Sequence, residues 1–159
     1  MSLNSIEIRD AELADGDAML ALMPRLAEFD VPETRNPEHL WKDDAKMLRR
    51  WLAGEEECLV HVATDKTLGV VGFSIVRLRL ELLSHEPSAH LEAIAVDKRA
   101  EGAGVAQALL KAAERSAIAH GALSMTLHVF ANNTRARDFY DRAGYEGELM
   151  RYIKHIGER

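Results

Sequence analysis

The sequence predicts a single mixed α/β domain in which a central sheet is flanked by about four helices. Stretches of alternating apolar and polar residues are interspersed with stretches whose apolar residues recur at helical spacing. Their order is strand, two helices, three strands, helix, strand, helix and strand. No repeat, low-complexity stretch or linker interrupts the 159 residues, so we expect one domain over residues 1–159.

The first third of the chain predicts one strand and two helices. Residues 6–9 alternate between apolar and polar side chains, as a short strand does. Residues 15–17 offer capping carboxylates to a helix that Pro24 should kink or restart. The Asn-Pro pair at 36–37 is typical of a second helix start, and Gly54 can end that helix.

The middle of the chain predicts three strands, over residues 58–64, 69–83 and about 89–96. The second is long, with its leucines on one face and its charged side chains on the other. A glycine-bearing turn then leads into the next helix.

The last third predicts a helix over residues 105–120 and a strand over about 125–129. Asn133 is expected to cap a short helix that ends at Gly144. Residues 145–156 predict a last strand or hairpin.

Composition excludes several classes of protein. A net charge of −6 argues against a nucleic-acid binder and mildly favours a cationic partner such as a protonated amine. No apolar run approaches the roughly 20 residues of a membrane span. The first six residues lack the basic start and apolar segment of a signal peptide. Cys58, the single cysteine, fits a reducing compartment, so we expect a cytoplasmic protein.

The turn between the fourth strand and the following helix has the features of a phosphate-binding site. Residues 101–106, EGAGVA, place glycines before a helix start, where backbone N–H groups and the helix dipole favour phosphate. A P-loop would need Gly-Lys-Ser or Gly-Lys-Thr, which does not occur in the chain. The dinucleotide fingerprint fails at its third glycine, where Gln107 stands.

Two motifs resemble the GNAT superfamily of N-acetyltransferases. Residues 91–110, LEAIAVDKRAEGAGVAQALL, resemble its acetyl-coenzyme A motif of strand, Q/R-x-x-G-x-G/A and helix. Residues 129–145, VFANNTRARDFYDRAGY, resemble its later segment N-x-x-A-x-x-(L/F)-Y-x-x-x-G-(F/Y). Because the order of strands and helices also matches, the resemblance covers about residues 6–156. It implies that the turn at 101–106 binds coenzyme A.

The resemblance implies a mostly antiparallel, splayed sheet and acetyl-coenzyme A as cosubstrate. The sequence departs from the family pattern at Glu101, where a Gln or Arg is usual. We expect the positive charges of Lys98 and Arg99 to compensate the negative charge of Glu101. The residues implied in coenzyme A binding are Ile94, Ala95, Val96, Glu101, Gly102, Ala103, Gly104, Val105, Ala106 and Asn133.

The resemblance also implies an acid and a base. Tyr140 matches the tyrosine that the family often uses to protonate the coenzyme A thiolate, and a phenol suits that task. Glu92 lies where many relatives carry an acidic residue that faces the acceptor amine, directly or through water. By alternation, Glu92 should share a face with Ile94 and Val96.

The acceptor stays open among diamines, which the early helices and acidic charge suggest, aminoglycosides, amino acids and protein N-termini. A two-fold homodimer is the commonest assembly, so we expect one. The histidines lack the close pairs of a zinc site, so no metal is predicted. A non-catalytic acyl-coenzyme A sensor is the main alternative function, and a nucleotide-dependent oxidoreductase is a distant one.

Overall fold

The computed structural model describes residues 5–158 of the chain. Residues 1–4, which belong to the N-terminal segment that lacks the pattern of a signal peptide, lie outside the described residues. Contacts divide the chain into two compact units, Met1–His128 and Val129–Arg159. Within the described part, no helix is both long enough and apolar enough to cross a membrane.

The first unit contains a five-stranded mixed sheet whose strands lie side by side in chain order. The first three pairings are antiparallel and the last is parallel, which confirms the mostly antiparallel mixed α/β fold. The strands are β1 Ile6–Asp10, β2 Leu59–Asp65, β3 Gly69–Leu80, β4 Pro87–Val96 and β5 Met125–Leu127.

The described residues form four α-helices, three in the first unit and one in the second. Pro24 restarts the chain as a 3-10 segment, Met23–Ala27, directly after the first helix, as the sequence predicts. Asn36 accepts a hydrogen bond from the Glu38 N–H at 3.0 Å, but it opens another 3-10 segment rather than the second α-helix. The α-helices are α1 Gly16–Leu22, α2 Lys42–Leu52, α3 Val105–Ala119 and α4 Thr134–Arg142.

The sheet has a packed layer on each face. On one face, α1 and α2 bury apolar side chains against alternate residues of the strands, among them Ala93 and Ala95 of β4. On the other face, Val105 and Leu109 of α3 pack over the sheet, with Ile94 and Val96 against them. The members of the first core are Met19, Leu22, Met23, Ala45, Leu48, Val60, Val62, Phe73, Ile75, Ala93 and Ala95.

Gly72 permits the close approach of α3 to the sheet. A Cβ at this position would lie 3.1 Å from the Ala95 carbonyl oxygen and 3.1 Å from Leu109 Cδ1. A side chain at this position would therefore require the Ala95 carbonyl group and Leu109 to shift by a few tenths of an ångström.

The second unit contains α4, which Asn133 caps as expected by accepting a hydrogen bond from the Ala136 N–H at 3.3 Å. Gly144 follows the helix with φ of 93°. The prediction of a strand or hairpin over residues 145–156 is wrong, because residues 145–158 form no strand. The alternating pattern gives this segment strand propensity, but a strand also needs a partner, and no described strand pairs with it.

Candidate active site

The strands β4 and β5 separate part-way along their length. The two pair only where Ala89–Leu91 lies beside Met125–Leu127, whereas β4 continues on β3 as far as Val96. Within the described residues, the edge of β4 from Glu92 to Val96 therefore has no strand beside it. Alternate N–H and C=O groups on such an edge can bind an extended ligand as an added strand would.

A β-bulge lies at Glu92, where β4 begins to run without β5. Ile75 is opposite Ala93 and Val76 is opposite Leu91, so Glu92 is the extra residue. The bulge interrupts the strict alternation from which we expected Glu92 to share a face with Ile94 and Val96. Those two side chains pack on the α3 layer.

The charge of Glu92 instead acts on the α2 side of the sheet. Glu92 contributes to raising the pKa values of both Asp44 in α2 and Cys58, and Cys58 packs against the core below α1 and α2. Glu92 thus belongs to the open edge of β4 and is close enough to Asp44 and Cys58 for its charge to influence both groups.

The glycine turn forms the start of α3. Gly102 and Gly104 have φ values of 80° and 77°, the left-handed region that glycine adopts without strain. The first intrahelical bond runs from the Ala108 N–H to the Gly104 carbonyl, and no described side chain caps the helix. The N–H groups of α3 before Ala108 have no acceptor within the helix, and such groups at a helix start can bind an anion.

Arg25 connects this turn to the end of β4. Its Nε donates a hydrogen bond to the Val96 carbonyl oxygen at 2.8 Å, and its guanidinium forms ion pairs with Glu28 and Glu101. The atypical carboxylate at the head of the turn thus has a cationic partner, which it shares with Glu28 and which offsets part of its negative charge.

Arg25 was missed in the sequence, since 76 residues separate it from Glu101. Arg99, which we expected to compensate Glu101, forms its ion pair with Asp97 at 2.7 Å. That hydrogen-bonded pair holds the pKa of Asp97 below its usual value.

Asp44 is a second residue that the sequence analysis missed. Burial, aided by the charges of Glu92 and Asp43, raises the pKa of Asp44 to about 7. The sequence feature that could have revealed Asp44 is its position one turn before Leu48, which places a carboxylate on the buried side of an amphipathic helix. A carboxyl group that titrates near neutral pH can accept or release a proton during a reaction.

Cys58 and His90 are two further groups of the first unit that are both uncharged near neutral pH. Burial is the main cause that raises the pKa of Cys58 to about 11 and lowers that of His90 to about 4. The Nδ1 of His90 is 2.7 Å from the Thr126 hydroxyl oxygen, and its ring is 4.8 Å from that of His128. Among the described residues, no group of three acidic, His or Cys side chains could hold a metal ion.

Tyr140 and Asn133 belong to the second unit. Burial raises the pKa of Tyr140 to about 12, so its phenol keeps its proton at neutral pH. The ring makes edge contacts with Phe139 and Tyr145, with centroids 5.1 and 5.8 Å apart. Asn133 uses its side-chain oxygen to cap α4.

Comparison with known proteins gives a family and several related folds. The model of the acetyltransferase (GNAT) family matches residues 21–145. No curated protein matches the chain in sequence.

Three solved structures illustrate the likeness of fold. A candidate acetyl transferase from Pyrococcus furiosus is 24% identical with a TM-score of 0.77, and the match covers 95% of this chain and 99% of that one. An aminoglycoside N-acetyltransferase in complex with coenzyme A is 19% identical with a TM-score of 0.69, covering 97% and 95%. A ribosomal-protein-alanine N-acetyltransferase from Brucella melitensis is 16% identical with a TM-score of 0.68, covering 96% and 99%.

Proposed function

Because the chain belongs to the GNAT family of acetyltransferases, we propose that it transfers the acetyl group of acetyl-coenzyme A to a primary amine. The observation that supports this most is the continuity of two binding elements. The open edge of β4 ends at Val96, and Arg25 connects Val96 to the glycine turn that starts α3.

These two elements suit the two halves of coenzyme A. The extended pantetheine arm has amide groups that can pair with the backbone of Ile94, Ala95 and Val96, as an added strand would. The pyrophosphate suits the N–H groups of the turn and the helix start. We assign its binding to Glu101, Gly102, Ala103, Gly104, Val105 and Ala106, with Asn133 as a further contact.

The reaction needs a neutral amine. At pH 7.4 an alkylamine of pKa about 10.4 is roughly one-thousandth neutral, which adds about 4 kcal/mol to the barrier unless the site removes its proton. In our proposal Glu92, directly or through a water molecule, takes that proton. Its place beside the open edge of β4 supports this role.

The amine nitrogen then attacks the thioester carbonyl carbon directly, in a ternary complex. The new C–N bond forms as the C–S bond breaks, and a backbone N–H on the edge of β4 polarises the carbonyl oxygen. Tyr140 gives its proton to the departing thiolate, and the phenolate so formed regains a proton, directly or through water, from the acylated nitrogen, which becomes the neutral amide. Its pKa of about 12 supports a role as acid rather than base.

We propose a cationic acceptor, since Glu92 and Asp44 bring two carboxyl groups to one region of a chain with net charge −6. Relatives in fold are named for acetylation of aminoglycosides and of a ribosomal-protein alanine, both amine acceptors. We further propose a single catalytic domain over residues 1–159 that acts in the cytoplasm. The sensor alternative was motivated by Glu101, and the ion pair with Arg25 weakens that motive.

The test is release of free coenzyme A thiol from acetyl-coenzyme A over polyamines, aminoglycosides, amino acids and peptides. We expect turnover with at least one amine and a loss of 10²–10⁴-fold in kcat for Glu92→Gln. Glu7→Gln, an exposed glutamate of β1, is the matched control and should keep full activity. The proposal would be overturned if the protein neither bound acetyl-coenzyme A nor released thiol with any amine. Binding of acetyl-coenzyme A without turnover would favour the sensor.

A further inference from the structure

The opening between β4 and β5 has a closed inner end. Leu91 and Leu127 are the last Cα partners of the parallel pairing, and the two chains separate after them. By the alternation of a strand, the side chains of these leucines lie on one face of the sheet and those of the residues just before them on the other. The residues that follow directly are Glu92 in β4 and His128, which comes after β5.

Two side-chain contacts fasten the strands just before they part. The Ser88 Oγ lies 2.7 Å from the Ser124 Oγ, and the Nδ1 of His90 lies 2.7 Å from the Thr126 hydroxyl oxygen. Ser88 and His90 are only 3% and 4% exposed, so both contacts are shielded from water. They add to a short ladder of backbone pairs and so strengthen the closed end of the opening.

His128 stands at this closed end. Its ring centroid lies 4.8 Å from that of His90, and the two ring planes are tilted by 59°. His90 is buried and bonded to Thr126, whereas His128 is exposed. The exposed ring therefore packs against a neighbour whose own position is fixed, so it is restricted in place and still accessible to a ligand.

The proposed mode of coenzyme A binding directs the acyl group toward this end. The pyrophosphate lies at the turn that follows β4, and the pantetheine arm runs back along the strand edge from Val96 to Ile94. The thioester comes next, near Glu92, so the acyl chain beyond it meets the point where the strands join. A butyryl group has two methylene groups more than an acetyl group, and these need space at the closed end.

We propose that His128, held in place by His90 and Thr126, closes the inner end of the opening and restricts the acyl donor to acetyl-coenzyme A. This inference rests on the proposed function and names the residue that selects the acyl group. His128 contacts the acyl end, whereas His90 and Thr126 are positioning residues that act through it. A methylene group more or less in such a pocket changes kcat/KM by about 10- to 200-fold.

Kinetics with a series of acyl-coenzymes A test the role of His128. With an amine that accepts acetyl groups, the native kcat/KM for acetyl-coenzyme A should exceed that for butyryl-coenzyme A by at least about tenfold. His128→Ala should raise the butyryl-to-acetyl ratio of kcat/KM by at least about tenfold, because it removes the ring that closes the opening. His120→Ala is the matched control. His120 is exposed and lies beside Leu80 and Pro87 at the start of β4, so its loss should leave the ratio unchanged.

Thr126→Val tests the positioning role without altering His128. Valine keeps the branched shape of threonine but cannot bond to the His90 Nδ1, so the ring of His128 loses part of its support and the ratio should rise by about threefold. Thr126→Ser keeps the hydroxyl and should have a ratio close to the native one. A general loss of stability would lower activity with both donors equally and would not change the ratio.

The outcomes separate this inference from the proposed function. An unchanged ratio in His128→Ala, or equal use of both donors by the native chain, would overturn the role of His128 and leave acetyl transfer in place. A native chain that neither bound nor used any acyl-coenzyme A would overturn the function, and the role of His128 with it. If the chain binds without turnover, the ratio of dissociation constants from calorimetric titration should change in His128→Ala in the same direction, and an unchanged ratio would again overturn the role.

Discussion

Arg25 forms an ion pair with Glu101 across 76 residues of sequence, and its Nε donates to Val96 at the end of β4. Its side chain is only 19% exposed, so the pair is shielded more than a surface salt bridge. The arrangement places a cation beside the carboxylate at the head of the proposed phosphate-binding turn. Several expected effects of substitution depend on this pair and on the elements it joins.

Arg25→Gln should raise the dissociation constant for acetyl-coenzyme A by about tenfold, since it removes a cation that is paired with Glu101 beside the proposed pyrophosphate site. The double variant Arg25→Gln/Glu101→Gln should recover most of that loss, because the carboxylate is also gone. Isothermal titration calorimetry measures all three proteins, with Arg50→Gln as an exposed arginine control. Equal losses in the single and double variants would show that the charge of Glu101 is not what Arg25 offsets.

Gly102→Ala should separate backbone strain from ligand contact. A Cβ at Gly102 meets nothing within 4 Å, so in the free protein it costs only the left-handed φ of 80°, about 1–2 kcal/mol. Affinity for acetyl-coenzyme A should fall by more than tenfold, because the Cβ would stand where the pyrophosphate approaches the turn. The measurements are urea denaturation and calorimetric titration.

Gly121→Ala is the matched control for that experiment. Gly121 has φ of 91°, and a Cβ there would also meet nothing within 4 Å, but it follows the far end of α3. It should lose a similar free energy of unfolding and keep its affinity. Equal affinities of the two alanine variants would place the pyrophosphate elsewhere.

Asp44→Asn should stabilise the protein at alkaline pH. The folded pKa of about 7 exceeds the ordinary value near 3.9, so the folded state binds this proton more tightly than the unfolded state does. The native aspartate is therefore unpenalised below about pH 4 and loses stability as the pH rises to about 7. Allowing for partial exposure, we expect the asparagine variant to be more stable by about 2 kcal/mol at pH 8.

Urea denaturation at pH 5 and pH 8 measures this difference, which should shrink at the lower pH. Asp43→Asn removes a charge from the exposed neighbouring residue and should have less than half the effect. A gain that is the same at both pH values would show that the carboxyl group of Asp44 titrates normally.

Local patterns in the sequence predicted most of the fold, because alternation, caps and glycine turns act over a few residues. Pro24, Asn133 and the turn at 101–106 act as their residue types dictate. The segment 145–156 has a strand pattern but forms no strand, since pairing depends on a partner that the pattern does not specify.

The site was predicted less completely than the fold. The bulge at Glu92 arises from the pairing of β3 with β4, and no local signal marks it. The pair of Arg25 and Glu101 and the raised pKa of Asp44 arise from tertiary packing. A sequence shows which residues carry charge, but it does not show which of them pair or become buried in the folded chain.

Tyr140→Phe should lower kcat by 10²–10³-fold with little change in KM, because it removes the proposed proton donor to the thiolate and keeps the ring. Since the pKa of Tyr140 is about 12, its ionisation should cause no loss of native activity below about pH 10. Tyr152→Phe removes a hydroxyl from a side chain that is 85% exposed and should leave kcat unchanged. Steady-state thiol release from pH 6 to pH 10 measures both variants, and an unaltered kcat for Tyr140→Phe would assign the acid to another group.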